Sequence, residues 1–442
     1  MPVIKFYLTF ILRVCLAVIS LPGNGLSQIA IPGQPLPEWK EGLLDLHHIN
    51  TGRGNASFFI FPDGTTMLFD AGEPYPVDSN KWSPRVTVPR PNASKKPYEW
   101  IAAYIKLFGP EKNQGKLDYA AISHFHDDHY GSWYANAPLS FTGKYRLTGI
   151  TGVCDLIPTH FMLDRGDEFQ ASLLPPTQKI DSQEQIYRNS LLNYRAFIEA
   201  QKSKGLIAQT LLAGSKTQIR LQHNADKYPD FFVRNIKSNG HLWTGKDTAT
   251  QNILPASDPG NFKNWPDENS LSLVFVIHYG PFVYYTGGDC AGHLSYGDPP
   301  WKDVETPVAK VVGEVDVAVM DHHGNRNALN DFQVMTLKPR VWVELVWSAD
   351  HPGNDVLIRA TNPLLYPGPR DLFATNMIEA NKIVIGPRLE RSYKSLQGHI
   401  LVRVMPGGNE YYVIILDDQT EHPLVKSVFG PYQTKSKALK NE

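Results

Sequence analysis

The sequence predicts an α/β protein in which two β-sheets pack against each other and helices cover their outer faces. Both halves of the chain contain apolar runs of strand length that end in turn residues, and both also contain segments with helical periodicity. The chain has no internal repeat and no low-complexity tract. These observations favour one large two-sheet fold.

Length, composition and charge restrict the class of protein. The chain has 442 residues, of which 42% are hydrophobic and 11% aromatic, so it can form a large core and is not a disordered chain. Lys and Arg number 43 against 44 Asp and Glu, which gives a net charge of −1. This balance excludes a protein that binds a polyanion by bulk charge alone. Three cysteines cannot form a disulfide framework, and we expect Cys154 and Cys290 to be unlinked.

Residues 1–27 have the pattern of a secretory signal peptide. Lys5 and Arg13 supply positive charge, an apolar run occupies 14–21, and small residues precede the predicted cleavage site. We therefore expect a secreted or periplasmic protein without a stable membrane span after cleavage. The alternative is an uncleaved anchor, although the apolar run is shorter than the about 20 residues that a span needs. Residues 28–42, which are rich in Pro and Gly, are predicted to be a linker.

Strand patterns in the first half of the chain end in polar residues. The apolar runs 58–61 and 66–69 are joined by a Pro-Asp-Gly turn and predict a hairpin, which ends at Asp70. Helical periodicity covers 99–108, and 117–123 predicts a short buried strand. A histidine-rich segment follows this strand directly, at the carboxyl end where open α/β layers usually hold their reactive groups.

The rest of the chain is predicted to complete one domain over residues 43–420. Residues 138–235, which include a helical pattern at 183–204, are predicted to be an insertion that shapes the site. Residues 421–442 are predicted to be a solvated C-terminal tail. The second half contains four further predicted strands, at 270–277, 282–286, 315–320 and 341–345.

The most informative segment is His-Phe-His-Asp-Asp-His at 124–129. Imidazole nitrogens and carboxylate oxygens are ligands that zinc accepts at about 2.0–2.2 Å. A tight turn after a strand can direct His124 and His126 at one metal ion, and it can direct Asp128 and His129 at a neighbouring ion. The alternative is a solvated turn, but side chains packed this densely at a buried strand end are poorly solvated without a metal.

This H-x-H-x-D-H segment resembles the signature of the metallo-β-lactamase superfamily. F-D-A-G at 69–72 is similar to the first motif of that family, in which an Asp supports the metal turn. T-G-G-D at 286–289 is similar to the T-G-D motif, whose Asp bridges two metal ions, with one additional glycine. The resemblance covers about residues 43–410. It implies the metallo-β-lactamase fold, an α/β (αββα) sandwich of two packed mixed sheets flanked by helices.

Further segments resemble the ComEC-type members of the superfamily, which include the lactamase-like domain of a DNA-uptake protein. The chain departs from their pattern after H-H-G, where Asn-Arg-Asn replaces the usual Ser, so substrate identity does not carry over from them. The segments that carry this similarity are G-N-A at 54–56, E-N-S-L-S-L-V at 268–274, D-H-H-G at 321–324 and D-H-P at 350–352.

The resemblance implies two bound Zn²⁺ ions, with Mn²⁺ or Fe²⁺ as alternatives. A middle ligand is expected between the second and third motifs, and His241 is favoured there because it follows a short strand and a glycine turn. His322 is favoured over His323 as the last ligand. The other histidines in the middle interval are His160, His223 and His278. The expected metal ligands are His124, His126, Asp128, His129, His241, Asp289 and His322.

The resemblance also implies hydrolysis by a metal-bound hydroxide, since zinc lowers the pKa of a bound water toward ~7. Asp128, His323 and His351 are the expected catalytic residues, and the late histidines are expected to donate to the leaving group or to orient the substrate. For His351 the alternative is an ordinary surface histidine before a proline. Asp70 is expected to fix an imidazole tautomer.

We therefore expect a secreted metal-dependent hydrolase that acts on a phosphodiester, with a small molecule or a nucleic acid as its partner. One alternative is a lactam or lactone hydrolase. A second alternative is a non-catalytic binding protein that retains the fold. The sequence does not predict the oligomeric state.

Overall fold

The computed structural model describes residues 30–74, 85–113, 115–168, 182–256 and 265–435. In these ranges the chain forms two nine-stranded mixed β-sheets with helices outside them, which confirms the predicted fold class. The predicted signal peptide, residues 1–27, lies outside the described residues. No helix of the described ranges combines the length and the apolar character that a bilayer crossing requires.

The strands are β1 (Leu44–His48), β2 (Ala56–Ile60), β3 (Thr66–Ala71), β4 (Leu117–Ala121), β5 (Thr159–Asp164), β6 (Ile207–Thr210), β7 (Phe231–Ser238), β8 (His241–Trp243), β9 (Thr250–Asn252), β10 (Val274–Tyr279), β11 (Phe282–Thr286), β12 (Val317–Val319), β13 (Val341–Glu344), β14 (Asp371–Ala374), β15 (Tyr393–Ser395), β16 (His399–Val404), β17 (Glu410–Leu416) and β18 (Val425–Gln433). The helices are α1 (Pro97–Phe108), α2 (Asp127–Tyr130), α3 (Gly149–Leu156), α4 (Ser182–Lys202), α5 (Glu305–Val312), α6 (Asp331–Leu337), α7 (Asn354–Thr361), α8 (Glu379–Ile385) and α9 (Pro387–Ser392).

Each sheet combines a parallel and an antiparallel part. The first sheet has the order β18-β17-β16-β1-β2-β3-β4-β5-β6, and its strands from β3 to β6 are parallel. The second has the order β15-β14-β13-β12-β11-β10-β7-β8-β9, and its strands from β11 to β15 are parallel. Parallel strands place all their carboxyl ends at one edge, so polar loops that follow them can meet there.

Apolar side chains fill the space between the two sheets. The ring of Phe59 in β2 lies 6.3 Å from that of Phe275 in β10 and 5.7 Å from that of Tyr284 in β11. All three residues are fully buried, and each buried ring of this size contributes roughly 1.5–3 kcal/mol. Because the two sheets share this core, their edges are fixed relative to each other.

Helices cover the outer faces. Helix α1 begins after Lys96, with Pro97 in its first turn and Glu99 returning to the backbone N–H of Lys96 at 2.7 Å. Its buried face includes Tyr98, Ile101 and Ile105, which pack against the first sheet. Helices α5, α6 and α7 cover the second sheet in the same way. The predicted hairpin, β2 with β3, and the predicted helix at 183–204 are both confirmed.

The structure differs from the sequence prediction at the domain boundaries. The segment predicted as an insertion, 138–235, supplies β5 and β6 to the first sheet. These strands were missed because most of their residues are polar or only partly buried. The predicted tail, 421–442, contains β18, an edge strand where Gly430 and Pro431 weakened the strand pattern. The predicted linker packs on that edge, since the N–H of Gly33 donates to the carbonyl of Val425 at 2.8 Å.

Cys154 and Cys290 are both free and buried, as the sequence predicted.

Candidate metal centre

The histidine-rich segment 124–129 turns sharply at the carboxyl end of β4. Helix α2 begins at Asp127, immediately after His126. The backbone N–H of Asn55 donates to the carbonyl of Asp128 at 2.7 Å. A Cβ on Gly72 would lie 1.9 Å from the same carbonyl oxygen, so only glycine fits at that position. The Asp-Ala-Gly segment at the end of β3 therefore supports the turn through its backbone.

One group of ligand atoms consists of His124, His126 and Asp289, whose ligand atoms lie within 4.8 Å of one another. Nε2 of His124 lies 3.1 Å from Nδ1 of His126 and 3.8 Å from Oδ2 of Asp289. Ligand atoms held about 2.1 Å from one ion in tetrahedral geometry lie roughly 3.4 Å apart. The three side chains therefore match the spacing of a metal site.

A second group consists of Asp128, His129, Asp289 and His323, all of which are buried. Nε2 of His129 lies 3.1 Å from Oδ1 of Asp289 and 3.6 Å from Oδ2 of Asp128. Nε2 of His323 lies 3.0 Å from Oδ2 of Asp128 and 3.6 Å from Oδ2 of Asp289. Asp289 belongs to both groups, as expected for a carboxylate between two ions.

Two buried atoms in the second group have no hydrogen-bond partner among the described residues. They are Nε2 of His129 and Oδ1 of Asp289. A buried polar atom without a partner costs of order 1–3 kcal/mol, so folded proteins rarely keep one unsatisfied. An ion bound between the two atoms satisfies both. The residues present therefore fit a metal centre.

The electrostatics of the cluster also favour a cation. Burial acts against charge on His129, but Asp289 and Asp128 raise its pKa well above the ordinary value. Burial likewise opposes charge on His323, whose pKa Asp289 nevertheless raises to about 9. Burial of Asp289 acts to raise its pKa, yet the facing imidazoles hold it well below its usual range. The buried carboxylates require positive charge, which protonated imidazoles or a divalent ion can supply.

Asp70 positions the cluster from the far side of His129. Oδ2 of Asp70 lies 2.8 Å from Nδ1 of His129 and accepts a hydrogen bond from Oγ of Ser123 at 2.9 Å. Oδ1 of Asp70 accepts the backbone N–H of Ser123 at 2.7 Å. A carboxylate on Nδ1 keeps the proton on that nitrogen and leaves Nε2 free to bind an ion. Asp70 has a positive φ of 62°, a strained backbone that is typical of functional sites.

The structure differs from the sequence prediction at His322 and His323. His323, predicted as catalytic, belongs to the second ligand group, whereas His322, predicted as a ligand, belongs to neither group. Nε2 of His322 lies 3.8 Å from Oδ2 of Asp289, and its Nδ1 lies 2.7 Å from Oδ1 of Asn327. Both histidines have positive φ in the turn Asp321–Gly324, which sets their rings 6.2 Å apart. The sequence does not reveal which ring such a turn directs inward.

His241 does not join the cluster. It begins β8, is exposed to solvent and pairs with Ser238 across a hairpin at the far edge of the second sheet. It lines a separate cavity that also contacts Arg165 and Asn239. The prediction of His241 as the middle ligand is therefore not supported by its position, because the short strand before it leads into an edge hairpin. Asn269 lies nearer, with its Nδ2 3.3 Å from Nε2 of His322.

His351, predicted as catalytic, lies behind the cluster. Its ring stacks on that of His323 with 4.6 Å between centroids and 7° between planes. Only 3% of His351 is exposed, so it is not a surface histidine. Burial lowers its pKa well below the ordinary value. A neutral ring in this place supports His323 by packing.

Two further groups at the site were missed by the sequence analysis. Nε1 of Trp347, in the loop after β13, donates to Oδ2 of Asp128 at 3.0 Å. Glu268 accepts the backbone N–H of Phe125 at 2.8 Å, and both its oxygens lie 2.7 Å from nitrogens of the buried Arg165. A lone Trp and an Arg–Glu pair separated by about 100 residues give no local sequence signal.

No protein-family model matches the chain, and no curated protein matches it. Among solved structures, the chain is similar to the metallo-beta-lactamase fold protein YhfI from Bacillus subtilis. The sequence identity is 11%, the comparison covers 80% of this chain and 95% of the other, and the TM-score is 0.32. A likeness at this score does not assign a function, which depends on the chemistry of the residues themselves.

Proposed function

We propose that this protein is a metal-dependent hydrolase of the metallo-β-lactamase superfamily and that its substrate is a phosphodiester. The position of Asp289 carries the proposal. It lies between a pair of imidazoles on one side and the His129 and His323 imidazoles on the other. Two ligand groups that share one buried carboxylate are the arrangement that two-metal hydrolases use.

A divalent ion bound in these groups supplies Lewis acidity and lowers the pKa of a coordinated water toward ~7. The chain holds the ligands in place for this chemistry. Asp70 keeps the Nδ1 proton of His129 in place, and Trp347 donates to Asp128, so neither ligand rotates freely. The buried surroundings strengthen each of these electrostatic contacts.

The substrate contacts are expected on the open side of the cluster, where His126, Asn269 and His322 are partly exposed. Nδ1 of His322 lies 2.7 Å from Oδ1 of the Asn327 side chain, which fixes the ring with Nε2 toward the cluster. The amide of Asn269 lies beside it. An imidazole and an amide donor at this place suit the oxygens of a phosphoryl group.

We also propose that the protein is exported, on the strength of the N-terminal pattern in residues 1–27. The partner is then a phosphodiester outside the cytoplasm, either in a small molecule or in a nucleic acid. Because the net charge is near zero, we assign phosphate recognition to the metal centre and its surroundings and not to a basic surface.

The proposal is tested by assaying the purified protein, loaded with Zn²⁺ or Mn²⁺, on bis-p-nitrophenyl phosphate. Turnover by the wild-type protein, together with no turnover by His126→Ala, supports the proposal. Turnover of nitrocefin or an acyl-lactone without turnover of the diester replaces it with the lactam or lactone hydrolase. Less than one bound ion per chain, with no turnover of any of these compounds, replaces it with a non-catalytic binding protein.

A further inference from the structure

A single arginine lies at the tip of the loop between β1 and β2. Arg53 stands between Gly52 and Gly54, and both glycines have positive φ, 71° and 75°. A Cβ on Gly52 would lie 1.9 Å from the carbonyl oxygen of Val88, and one on Gly54 would lie 2.3 Å from that of Asp128. The loop therefore fits closely between two other backbones, and Arg53 contributes the only side chain of the tip.

This tip is joined to the wall of the metal centre. The carbonyl of Gly52 accepts a hydrogen bond from Oγ1 of Thr87, whose backbone N–H donates to the carbonyl of Trp347 at 3.0 Å. Trp347 in turn donates to the carboxylate of Asp128. The N–H of Gly52 donates to Oδ1 of Asn50 at 2.9 Å. Hydrogen bonds therefore fix the segment that carries Arg53, and this segment contacts both the loop with Asp128 and the loop with Trp347 through Thr87.

The guanidinium of Arg53 has neither an ion pair nor a side-chain hydrogen bond within the described ranges, although the residue is partly buried. Burial lowers its pKa, and in the part of the chain that the structure describes no carboxylate forms an ion pair with it. Other buried arginines are compensated: Arg165 lies 2.7 Å from Glu268, and Arg403 lies 2.7 Å from Asp45. A partly buried cation without a counter-charge loses hydration, and it is expected where a ligand supplies the missing anion.

We propose that Arg53 binds a second anionic group of the substrate, a phosphate or a carboxylate, at the edge of the metal cleft. The proposal rests on the proposed function and extends it to the substrate class: a phosphodiester that carries a further anionic group close to the scissile phosphate. Arginine suits this role because its planar fork of donors matches both kinds of anion.

The test compares two substrates that differ only in the second anion. They are thymidine 5′-(p-nitrophenyl phosphate) and the same compound with a 3′-phosphate. We expect the wild-type kcat/KM to be higher for the bisphosphate, and we expect Arg53→Gln to lower the ratio of the two kcat/KM values about 10- to 100-fold through KM, the usual effect of a charged hydrogen bond. Arg53→Lys should restore part of the ratio.

The matched control is Arg391→Gln, which removes the same charge from the exposed end of α9 and should leave the ratio unchanged. Circular dichroism and thermal unfolding establish that Arg53→Gln is folded. A ratio that stays within a factor of two in a folded Arg53→Gln protein overturns the proposal. A carboxylate in place of the 3′-phosphate distinguishes the two kinds of anion.

Direct binding separates this proposal from the proposed function. Isothermal titration measures the affinities for thymidine 3′,5′-bisphosphate and thymidine 5′-phosphate without any turnover. A preference for the bisphosphate of about 10-fold or more, lost in Arg53→Gln, supports the anion site even if no diester is cleaved. Equal affinities in the wild-type protein overturn it, whatever the activity on bis-p-nitrophenyl phosphate.

Discussion

Nε2 of His129 lies 3.1 Å from Oδ1 of Asp289, and within the described residues neither atom has a hydrogen-bond partner. On the opposite side of the same imidazole, Nδ1 lies 2.8 Å from Asp70. Asp70 therefore keeps a proton on Nδ1, and Nε2, which faces the carboxylate oxygen, holds either a second proton or a divalent ion. This arrangement suits an exchange of the Nε2 proton for a divalent ion held by both atoms.

Metal content gives the first prediction. Because Asp289 belongs to both ligand groups, Asp289→Asn should weaken both sites, whereas Asp128→Asn should weaken only the second. Elemental analysis after dialysis against limiting Zn²⁺ should give close to two ions for the wild-type protein, about one for Asp128→Asn, and less than one for Asp289→Asn. The same loss of ions in both variants would contradict a shared carboxylate.

The second prediction concerns Asp70. Asp70→Asn keeps the size of the side chain but replaces an acceptor of His129 by an amide that can present its N–H to the ring. We expect a loss of roughly 10- to 100-fold in metal affinity, the usual effect of removing a partner of a metal-bound histidine. Competition with a zinc chelator measures it.

The comparison variant for Asp70→Asn is Ser123→Ala. It removes one hydrogen bond to the carboxylate and the Oγ contacts at 3.0 Å with Nδ1 of His124 and of His129, and it keeps the contact between Asp70 and His129. Its loss of affinity should be smaller. A larger loss in Ser123→Ala than in Asp70→Asn would show that the hydroxyl of Ser123, and not the carboxylate, is the main support of the two imidazoles.

The sequence predicted those parts of the site that depend on local spacing. Residues 124–129 and Asp289 follow apolar strands directly, so their convergence follows from strand direction alone. The sequence favoured His241 as the middle ligand because it follows a strand. The structure places it in a hairpin near the edge of the second sheet, and the sequence does not reveal which strands are central. The choice between His322 and His323 depended on two left-handed residues, a backbone conformation without a composition signal.

The third prediction concerns the pair of Arg165 and Glu268. Arg165 is fully buried, and Glu268 also holds the backbone of Phe125 between His124 and His126, two candidate metal ligands. Arg165→Met leaves the carboxylate without its partner and should lower the free energy of unfolding by about 3–5 kcal/mol. Glu268→Gln should cost a similar amount, and the double variant less than the sum. Urea denaturation of the four proteins measures this coupling, and additive losses would contradict it.

The fourth prediction is a pH dependence that arises from Glu73. This carboxyl group is 4% exposed, and burial raises its pKa to about 7 from an ordinary value of 4.5 despite hydrogen bonds from Gly149 and Tyr98. Because the folded pKa is the higher one, the folded state binds this proton more tightly. Stability from this group is complete below about pH 4.5 and is lost as pH rises to about 7, by roughly 3 kcal/mol.

Glu73→Gln stays neutral at every pH and should remove this part of the dependence. Its free energy of unfolding, relative to the wild-type protein, should rise by about 3 kcal/mol between pH 5 and pH 8. Urea denaturation at the two pH values measures the difference. Glu199→Gln changes a carboxylate with 72% exposure and should show no such rise. If the free energy of unfolding changed equally with pH in the wild-type and Glu73→Gln proteins, Glu73 would not be the source of the pH dependence.

The fifth prediction separates the two neighbouring histidines. His323 lies within 3.0 Å of Asp128 in the second ligand group, whereas His322 lies beside the cluster with part of its ring exposed. His323→Ala should therefore lower metal content by about one ion and abolish activity. His322→Ala should keep the metal content and lower kcat about 10²- to 10⁴-fold, the usual contribution of a proton donor or acceptor. Elemental analysis with steady-state kinetics on the same preparations distinguishes them. If His322→Ala lost an ion and His323→Ala kept its full metal content, His322 would be the ligand instead.

A further variant tests the orientation of the His322 ring. Asn327→Ala, which releases Nδ1 of His322, should reproduce part of the kcat loss with no loss of metal, because it changes only the orientation of that ring.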